Sequence, residues 1–294
     1  MKVDLDKFLA PYRIEDGKGF TLKDHDPGDT HDLGIEKADA KELLRTGIER
    51  LTELQEMLYA QNRWSVLLIF QAMDAAGKDS AIKHVMSGVN PQGVQVYAFK
   101  RPSAEELDHD FLWRCARNLP ERGRIGVFNR SYYEEVLVVR VHQEILESQH
   151  LPPELVGKSI FDERLEDIAN FERYLAHQGT LILKFFLNVS KAEQKKRFLK
   201  RLDDPEKHWK FEAGDLAERG HWDAYMDAYQ KAIQATAAPH APWYVVPADN
   251  KWFTRLVVAG AIVDSMRRLD LHFPKVSEAE RAKFAEYRRA LEAE

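Results

Sequence analysis

Asp74, Gly77 and Lys78 follow an apolar run, Ser65-Val66-Leu67-Leu68-Ile69-Phe70-Gln71, within the segment Ala72-Met73-Asp74-Ala75-Ala76-Gly77-Lys78-Asp79-Ser80. A small-residue turn ending in Gly-Lys, between a strand and a helix, is the context of a phosphate-binding P-loop. The turn's N–H groups and the start of the following helix make a site for anionic oxygens, and the lysine adds a mobile point charge. On this reading Ala75, Ala76, Gly77, Asp79 and Ser80 cradle phosphate while Lys78 neutralises the transferring group. Phosphate would repel Asp74 unless a metal bridges the two, so that carboxylate implies magnesium and can orient an attacking oxygen. Shaping the loop as an Asx-turn is its other use. The pattern G-x-x-x-x-G-K-[ST] is met in part. Ala72 stands where the first Gly belongs, and Asp79 stands where a hydroxyl would ligate magnesium.

Further candidates sit at the ends of other apolar runs. Asn129-Arg130-Ser131 follows Ile125-Gly126-Val127-Phe128, where P-loop enzymes place an acidic residue near magnesium. Arg130 has the planar fork that suits phosphate oxygens, or it pairs with Glu134 one turn on. Asn129 holds a water near the metal or caps the next helix. Lys100 and Arg101 follow Val94-Gln95-Val96-Tyr97-Ala98-Phe99, and Asp249 lies just beyond Pro247. The run Lys195-Lys196-Arg197-Phe198-Leu199-Lys200-Arg201, with Lys207-His208-Trp209-Lys210 after it, is either a solvated helix face or a lid. As a lid it would bring Arg197 and Arg201, one turn apart, onto phosphates and exclude water. Trp209, Phe211, Trp222 and Tyr225 support a base or pack the lid. The histidines show no metal-ligand spacing, there is no Gly-x-Ser-x-Gly turn, and Cys115 lies among apolar residues where it packs.

The elements that must position these groups can be read from periodicity. Leu44, Ile48, Leu51, Leu54 and Leu58 predict a long amphipathic helix over 38–61. Apolar runs predict strands at 65–71, 94–99, 125–129, 181–187 and 243–247. Helices are expected at 78–89, 104–118, 132–147, 161–177 and 190–201, with two more after residue 250. Residues 202–221 are dense in charge and cap or cross something. Five short strands separated by helices imply an α/β fold with a parallel sheet covered on both faces, and ligands at the strands' carboxyl ends.

The 294 residues carry a net charge of −5, so any polyanion site is a local basic patch and the chain as a whole is not a nucleic-acid-binding surface. One cysteine excludes an internal disulfide. No apolar secretion segment opens the chain, and no run approaches the roughly 18 apolar residues of a membrane span. A cytoplasmic location without membrane contact is expected.

Several motifs in one order resemble the family-2 polyphosphate kinases. They are Gln71-Ala72-Met73-Asp74-Ala75-Ala76-Gly77-Lys78-Asp79, Asn90-Pro91-Gln92-Gly93-Val94, Leu112-Trp113-Arg114, Phe128-Asn129-Arg130-Ser131-Tyr132-Tyr133-Glu134-Glu135-Val136, Asp204-Pro205-Glu206-Lys207-His208-Trp209-Lys210 and Pro247-Ala248-Asp249-Asn250-Lys251. The similarity runs from about residue 22 to 270. It implies a thymidylate-kinase-like, three-layer P-loop kinase fold with a five-stranded parallel sheet. One domain would span 1–294, with an N-terminal arm at 1–37 and a helical lid at about 195–225. It also implies magnesium, or manganese, and reversible in-line phosphoryl transfer from inorganic polyphosphate to AMP and ADP, yielding ATP. The segment from Asn129 to Val136 looks most like the branch that accepts both nucleotides.

By carry-over, Asp74 and Asn129 lie at the metal, and Lys78 and Arg130 hold the transferring group. Lys100, Arg197, Arg201, Lys207 and Lys210 line the polyphosphate path, and Arg101 and Arg114 complete the binding set. Ala72 departs from the family's usual Gly. A homo-oligomer, dimer or tetramer, is expected. The rival readings are an ATP-dependent nucleoside monophosphate kinase and a non-catalytic protein that binds nucleotide or polyphosphate.

Overall fold

The computed structural model describes residues 4–30, 37–211 and 213–294. The parts of the expected arm at 1–3 and 31–36, and residue 212 of the expected lid, lie outside the described residues. Among the described residues, six strands form one sheet in the order β1-β6-β5-β2-β4-β3. They are β1 (Arg13–Ile14), β2 (Ser65–Gln71), β3 (Val94–Ala98), β4 (Ile125–Asn129), β5 (Thr180–Asn188) and β6 (Trp243–Pro247). β2 to β6 run parallel, with β2 central between β4 and β5. The expectation of five strands is corrected by β1, a short antiparallel edge that pairs Arg13 with Tyr244 and Ile14 with Trp243.

In chain order the α-helices are α1 (Leu5–Leu9), α2 (Lys37–Gln61), α3 (Lys78–Val85), α4 (Ala104–Leu107), α5 (Trp113–Ala116) and α6 (Val138–Val141). They continue with α7 (Ile160–His177), α8 (Lys191–Leu202), α9 (Ala213–Glu218), α10 (Trp222–Thr236), α11 (Lys251–Arg267) and α12 (Glu278–Glu292). Every residue of β2 is buried, as a central parallel strand covered on both faces requires. Successive side chains of a strand face opposite ways. Lys184 of β5 therefore meets Glu172 of α7 and the Thr236 carbonyl of α10. The next residue, Phe185, stacks on Tyr244, whose hydroxyl lies beside Ser265 of α11 on the other face. α11 in turn packs on α1, α2 and α3. Three layers result.

Three expected elements take a different form. The described arm is part of the core: Phe8, Leu9, Tyr12, Phe20 and Leu22 are buried, and Phe8 and Tyr12 pack edge-on against Phe253. The helix expected over 104–118 is split into α4 and α5. Asp110 accepts hydrogen bonds from the Leu112 and Trp113 amides and so starts a second helix where the first would continue. The helix expected over 132–147 is a 3-10 turn (Tyr132–Glu135), α6 and a second 3-10 turn (Gln143–Gln149). Here both Tyr132 and Tyr133 turn inward to donate to the buried Glu172 carboxylate at 3.0 and 2.8 Å, overriding the helical period.

Candidate active site

Chain register alone brings the loop after β2 and the end of β4 together. The Arg130 amide donates to the Phe70 carbonyl at 3.0 Å, so the residue after β4 is pinned beside the start of the P-loop. Arg130 adopts φ +65°, a left-handed conformation that costs a non-glycine residue roughly 1–2 kcal/mol. The strain aims its guanidinium at the loop, where it donates to Asp74 Oδ1 at 3.0 Å and Glu134 Oε2 at 3.5 Å. Glu134 holds Arg130 firmly charged against the opposing effect of burial, and Asp74 adds to the pull.

The loop turns on two left-handed residues, Ala75 (φ +59°) and Gly77 (φ +111°), the kind of geometry used in anion-binding nests. At Ala72 the backbone keeps a negative φ, which alanine adopts freely, so the departure from glycine there carries no backbone strain. Gly77 caps α3, whose first-turn N–H groups have no partner within the helix. Lys78 is buried, and its ammonium donates to the Ala72 carbonyl at 2.7 Å, folded along the loop. Burial pushes its pKa down to about 8; Arg130 adds to that shift, while Asp74, Glu134 and Asp79 oppose it. Glu134 is raised above the usual carboxylate range by burial, against the pull of Arg130 and Lys78. Gln71 donates to Glu134 Oε1 at 2.9 Å and accepts from Ser131 in the amide orientation that satisfies both.

Asp74, Lys78 and Arg130 are thus brought together, with Glu134 as a fourth member that the sequence showed only as a partner for Arg130. Asn129 donates from Nδ2 to Asp79 Oδ1 at 2.8 Å, joining the end of β4 to the first turn of α3. Ser80 Oγ accepts from Arg255 of α11 at 3.0 Å.

The expected lid cations divide. Arg197 is buried and grips the P-loop from below. Its guanidinium donates to the carbonyls of Ala75 (3.1 Å), Ala76 (2.6 Å), Ala248 (2.6 Å) and Asp249 (3.0 Å), and its Nε donates to Glu193 (2.9 Å). Gln194 beside it donates to the Asp74 carbonyl at 2.8 Å, and Arg219 holds Gln194 Oε1 at 2.6 Å. Arg201 lies 3.9 Å from Asp215 and donates to the Lys210 carbonyl at 3.3 Å. Lys207 pairs with Asp204, and the Lys210 ammonium sits 4.9 Å from the Trp209 ring centre. Lys207 and Lys210 are on the exposed turn Pro205–Lys210.

At the β3 end, Lys100 and Arg101 are exposed, and the Lys100 carbonyl accepts from Arg114 at 2.8 Å. Arg114 also lies 3.4 Å from Glu106 and 5.3 Å from the Phe99 ring centre, so it braces this end of the sheet. The sequence reading missed Gln194, Glu193 and Arg219: Gln194 donates to the Asp74 carbonyl and Arg219 to the Lys191 carbonyl, backbone acceptors with no signature in the sequence, while Glu193 pairs with Arg197. Spacing held a signal for α8, since Glu193, Gln194 and Arg197 share one face of a helix.

Among the described residues, no group of three or more His, Cys, Asp or Glu side chains is arranged to hold a metal. Magnesium needs no such cage. It takes one or two protein oxygens plus substrate phosphates, a donor set that Asp74 and the Asn129 side-chain oxygen fit.

A strand–loop–helix with Gly77-Lys78 at its turn, faced by an arginine from the neighbouring parallel strand, defines a P-loop kinase. The chain belongs to the Polyphosphate kinase 2 (PPK2) family, whose model matches residues 34–274. It is 58% identical over 251 residues to the ADP-polyphosphate phosphotransferase of Rhodopseudomonas palustris, covering 85% of this chain and 87% of that protein. It is 44% identical to the AMP/ADP-polyphosphate phosphotransferase of Meiothermus ruber, covering 91% of this chain and 96% of that one. The crystal structure of Polyphosphate Kinase 2 from Arthrobacter aurescens superposes with a TM-score of 0.84 at 46% identity, over 93% of this chain and 95% of the other.

Proposed function

We propose that this chain transfers a phosphoryl group reversibly between inorganic polyphosphate and AMP or ADP, yielding ADP and ATP. The observation that carries the reading is the meeting of Lys78, Arg130 and Asp74 at the ends of β2 and β4 in a chain of this family. An oxygen of the acceptor's last phosphate forms a bond to the terminal phosphorus of the donor chain. The P–O bond to the next phosphate breaks, and the shortened chain keeps the electron pair. Donor and acceptor are both anions, so catalysis consists of holding them in line and neutralising charge. Lys78 and Arg130 supply that charge on rigid elements, and Asp74 orients the acceptor. Magnesium, or manganese, held at Asp74 and Asn129 would add further charge neutralisation on the phosphates. Lys100, Arg101, Lys207 and Lys210 extend the positive field around the site.

We further infer a cytoplasmic homo-oligomer, a dimer or tetramer, that engages neither nucleic acid nor membrane. No described helix is long and apolar enough to cross a membrane. Phe284, Tyr287 and Leu291 form an exposed apolar stripe along α12 that supports self-association, which sedimentation would read directly.

The deciding experiment is phosphorus-31 NMR of the protein with AMP, magnesium and long-chain polyphosphate but no ATP. ADP and then ATP signals are expected, lost on chelation and regained with magnesium or manganese. ADP alone would remove ADP from the acceptor range. No turnover until ATP is added would replace this reading with an ATP-dependent monophosphate kinase, and binding without turnover in either tube would leave a binding protein.

A further inference from the structure

We propose that the buried pair Glu172 and Lys184 positions the active site: its carboxylate fixes Tyr132 and Tyr133, and through them the turn that carries Arg130 and Glu134. The inference rests on Arg130 serving phosphoryl transfer and adds what holds it in place. Glu172 lies on α7 and Lys184 on β5, both buried. The Tyr132 and Tyr133 hydroxyls converge on one atom, Glu172 Oε1, at 3.0 and 2.8 Å. Lys184 Nζ donates to the other carboxylate oxygen at 2.5 Å. Its two remaining hydrogens go to the Tyr133 hydroxyl (3.2 Å) and the Thr236 carbonyl (2.7 Å). Thr236 Oγ1 lies 2.8 Å from the same hydroxyl and accepts from the Trp243 indole at 2.9 Å. The rings are gripped as well, Tyr132 edge-on against Phe171 and Tyr133 against Trp243.

These anchors sit between two active-site residues in the chain. Arg130, with φ +65°, comes two positions before Tyr132, and Glu134 directly follows Tyr133. A strained backbone persists only where its surroundings over-determine it. Ser131 Oγ accepts from the Tyr133 amide at 3.2 Å and closes the turn onto its buried side chains. Glu134 then meets Arg130 at 3.5 Å and Gln71 at 2.9 Å. With both hydroxyls tied to one oxygen, the two rings share one setting, and the turn and the Arg130 guanidinium take their direction from it.

Stability alone does not account for such a pair. Replacing a buried ion pair by apolar side chains of similar volume is often neutral or stabilising, because desolvation offsets the attraction. A buried hydroxyl, by contrast, needs an acceptor at a defined place, and a carboxylate held from behind by a lysine provides one for two hydroxyls at once. What the pair contributes is direction.

The test compares two charge-free double variants of the full-length protein by thermal unfolding and by steady-state ADP phosphorylation with polyphosphate. Glu172→Gln with Lys184→Met keeps an acceptor for the hydroxyls, whereas Glu172→Leu with Lys184→Met removes it. The glutamine variant should keep kcat within about twofold. The leucine variant should lose about 10–10²-fold in kcat, the scale of a small misplacement at the active site, with KM for ADP within about twofold. Its fall in kcat/KM as Lys78 deprotonates should also move to higher pH, since a loosened turn admits water to that buried ammonium. Tyr132→Phe with Tyr133→Phe, which keeps both rings, should reproduce the loss and decides the matter where the leucine variant does not fold. A folded leucine or phenylalanine variant with wild-type kcat and pH profile would overturn the proposal, as would equal losses in the glutamine and leucine variants. A wild-type protein inert toward polyphosphate would instead overturn the reaction assignment, and the positioning role with it.

Discussion

Replacing Arg197 separates two roles that a lid arginine and a loop clamp would play. The guanidinium donates to four backbone carbonyls, two in the P-loop and two at the start of α11, and to Glu193. Charge-assisted hydrogen bonds contribute about 1.5–3 kcal/mol each, but they are not additive and part is offset by relief of Arg197's own desolvation. Removing one partner of a buried charged network costs about 3–5 kcal/mol net. In a chain of this size that corresponds to a fall in Tm of about 5–8 °C. Arg197→Ala should therefore unfold earlier on heating and lose kcat with every donor, because Ala75 and Ala76 are no longer fixed. Arg197→Lys should recover little, since a point charge cannot bridge two loops.

The assay is urea or thermal denaturation of the ligand-free protein beside steady-state kinetics. If Arg197 instead closes onto phosphate as a lid residue, stability will change by less than about 1 kcal/mol and the loss will fall on polyphosphate binding. That result would refute the clamp.

Lys78→Ala should cut kcat by about 10²–10³, as for other preorganised charge contacts, without unfolding the protein. Because the Lys78 pKa is pushed down to about 8 from 10.5, the free enzyme loses this charge as pH rises through 8, and kcat/KM should fall on that limb. In Lys78→Arg the limb should vanish. Between those two values the unfolded chain holds more protons, so the Lys78 contribution to stability rises with pH there while activity falls. Glu172→Gln leaves Lys184 buried without its counter-charge, so urea denaturation should show a loss of about 3–5 kcal/mol, smaller when Lys184→Met is added. Ala72→Gly should leave kcat within about twofold and cost about 0.5–1 kcal/mol, since the loop already accepts alanine's conformation there.

What the sequence disclosed follows from which signals are local. The β2 strand, the P-loop and α3 are contiguous, and the apolar run and the Gly77-Lys78 turn announced them together. β1 was hidden because two residues carry no period, and its register depends on Trp243 and Tyr244, more than 200 positions away. Asp110 and the inward-turning Tyr132 and Tyr133 broke expected helices by side-chain hydrogen bonds that outweigh a weak periodic preference. Arg197 and Gln194 were the hardest to read. A charged helix face normally faces water, yet both are buried, because their partners are carbonyl oxygens that any sequence would supply. That Asp74, Lys78 and Arg130 would meet was legible by type and spacing; the support beneath them was not.

Position 79 and position 129 illustrate how two departures from the usual P-loop pattern explain each other. The loop carries a carboxylate, Asp79, where a hydroxyl is usual, and the neighbouring strand end carries an amide, Asn129, where a carboxylate is usual. Asn129 Nδ2 donates to Asp79 Oδ1 at 2.8 Å. An aspartate at 129 would set two carboxylates at that separation, and one would have to take up a proton or bind a cation to stay there. The amide therefore keeps the acidic loop compatible with the strand. Asn129→Asp alone should lower stability at neutral pH by about 1–3 kcal/mol, the scale of coupling between residues in direct contact, and that loss should shrink as pH falls and one carboxyl is protonated. Asp79→Ser combined with Asn129→Asp removes the repulsion and should recover most of the loss. A double-mutant cycle on denaturation midpoints measures the coupling. Additive effects of the two changes would show that the pair is a coincidence of contact and that each departure needs its own cause.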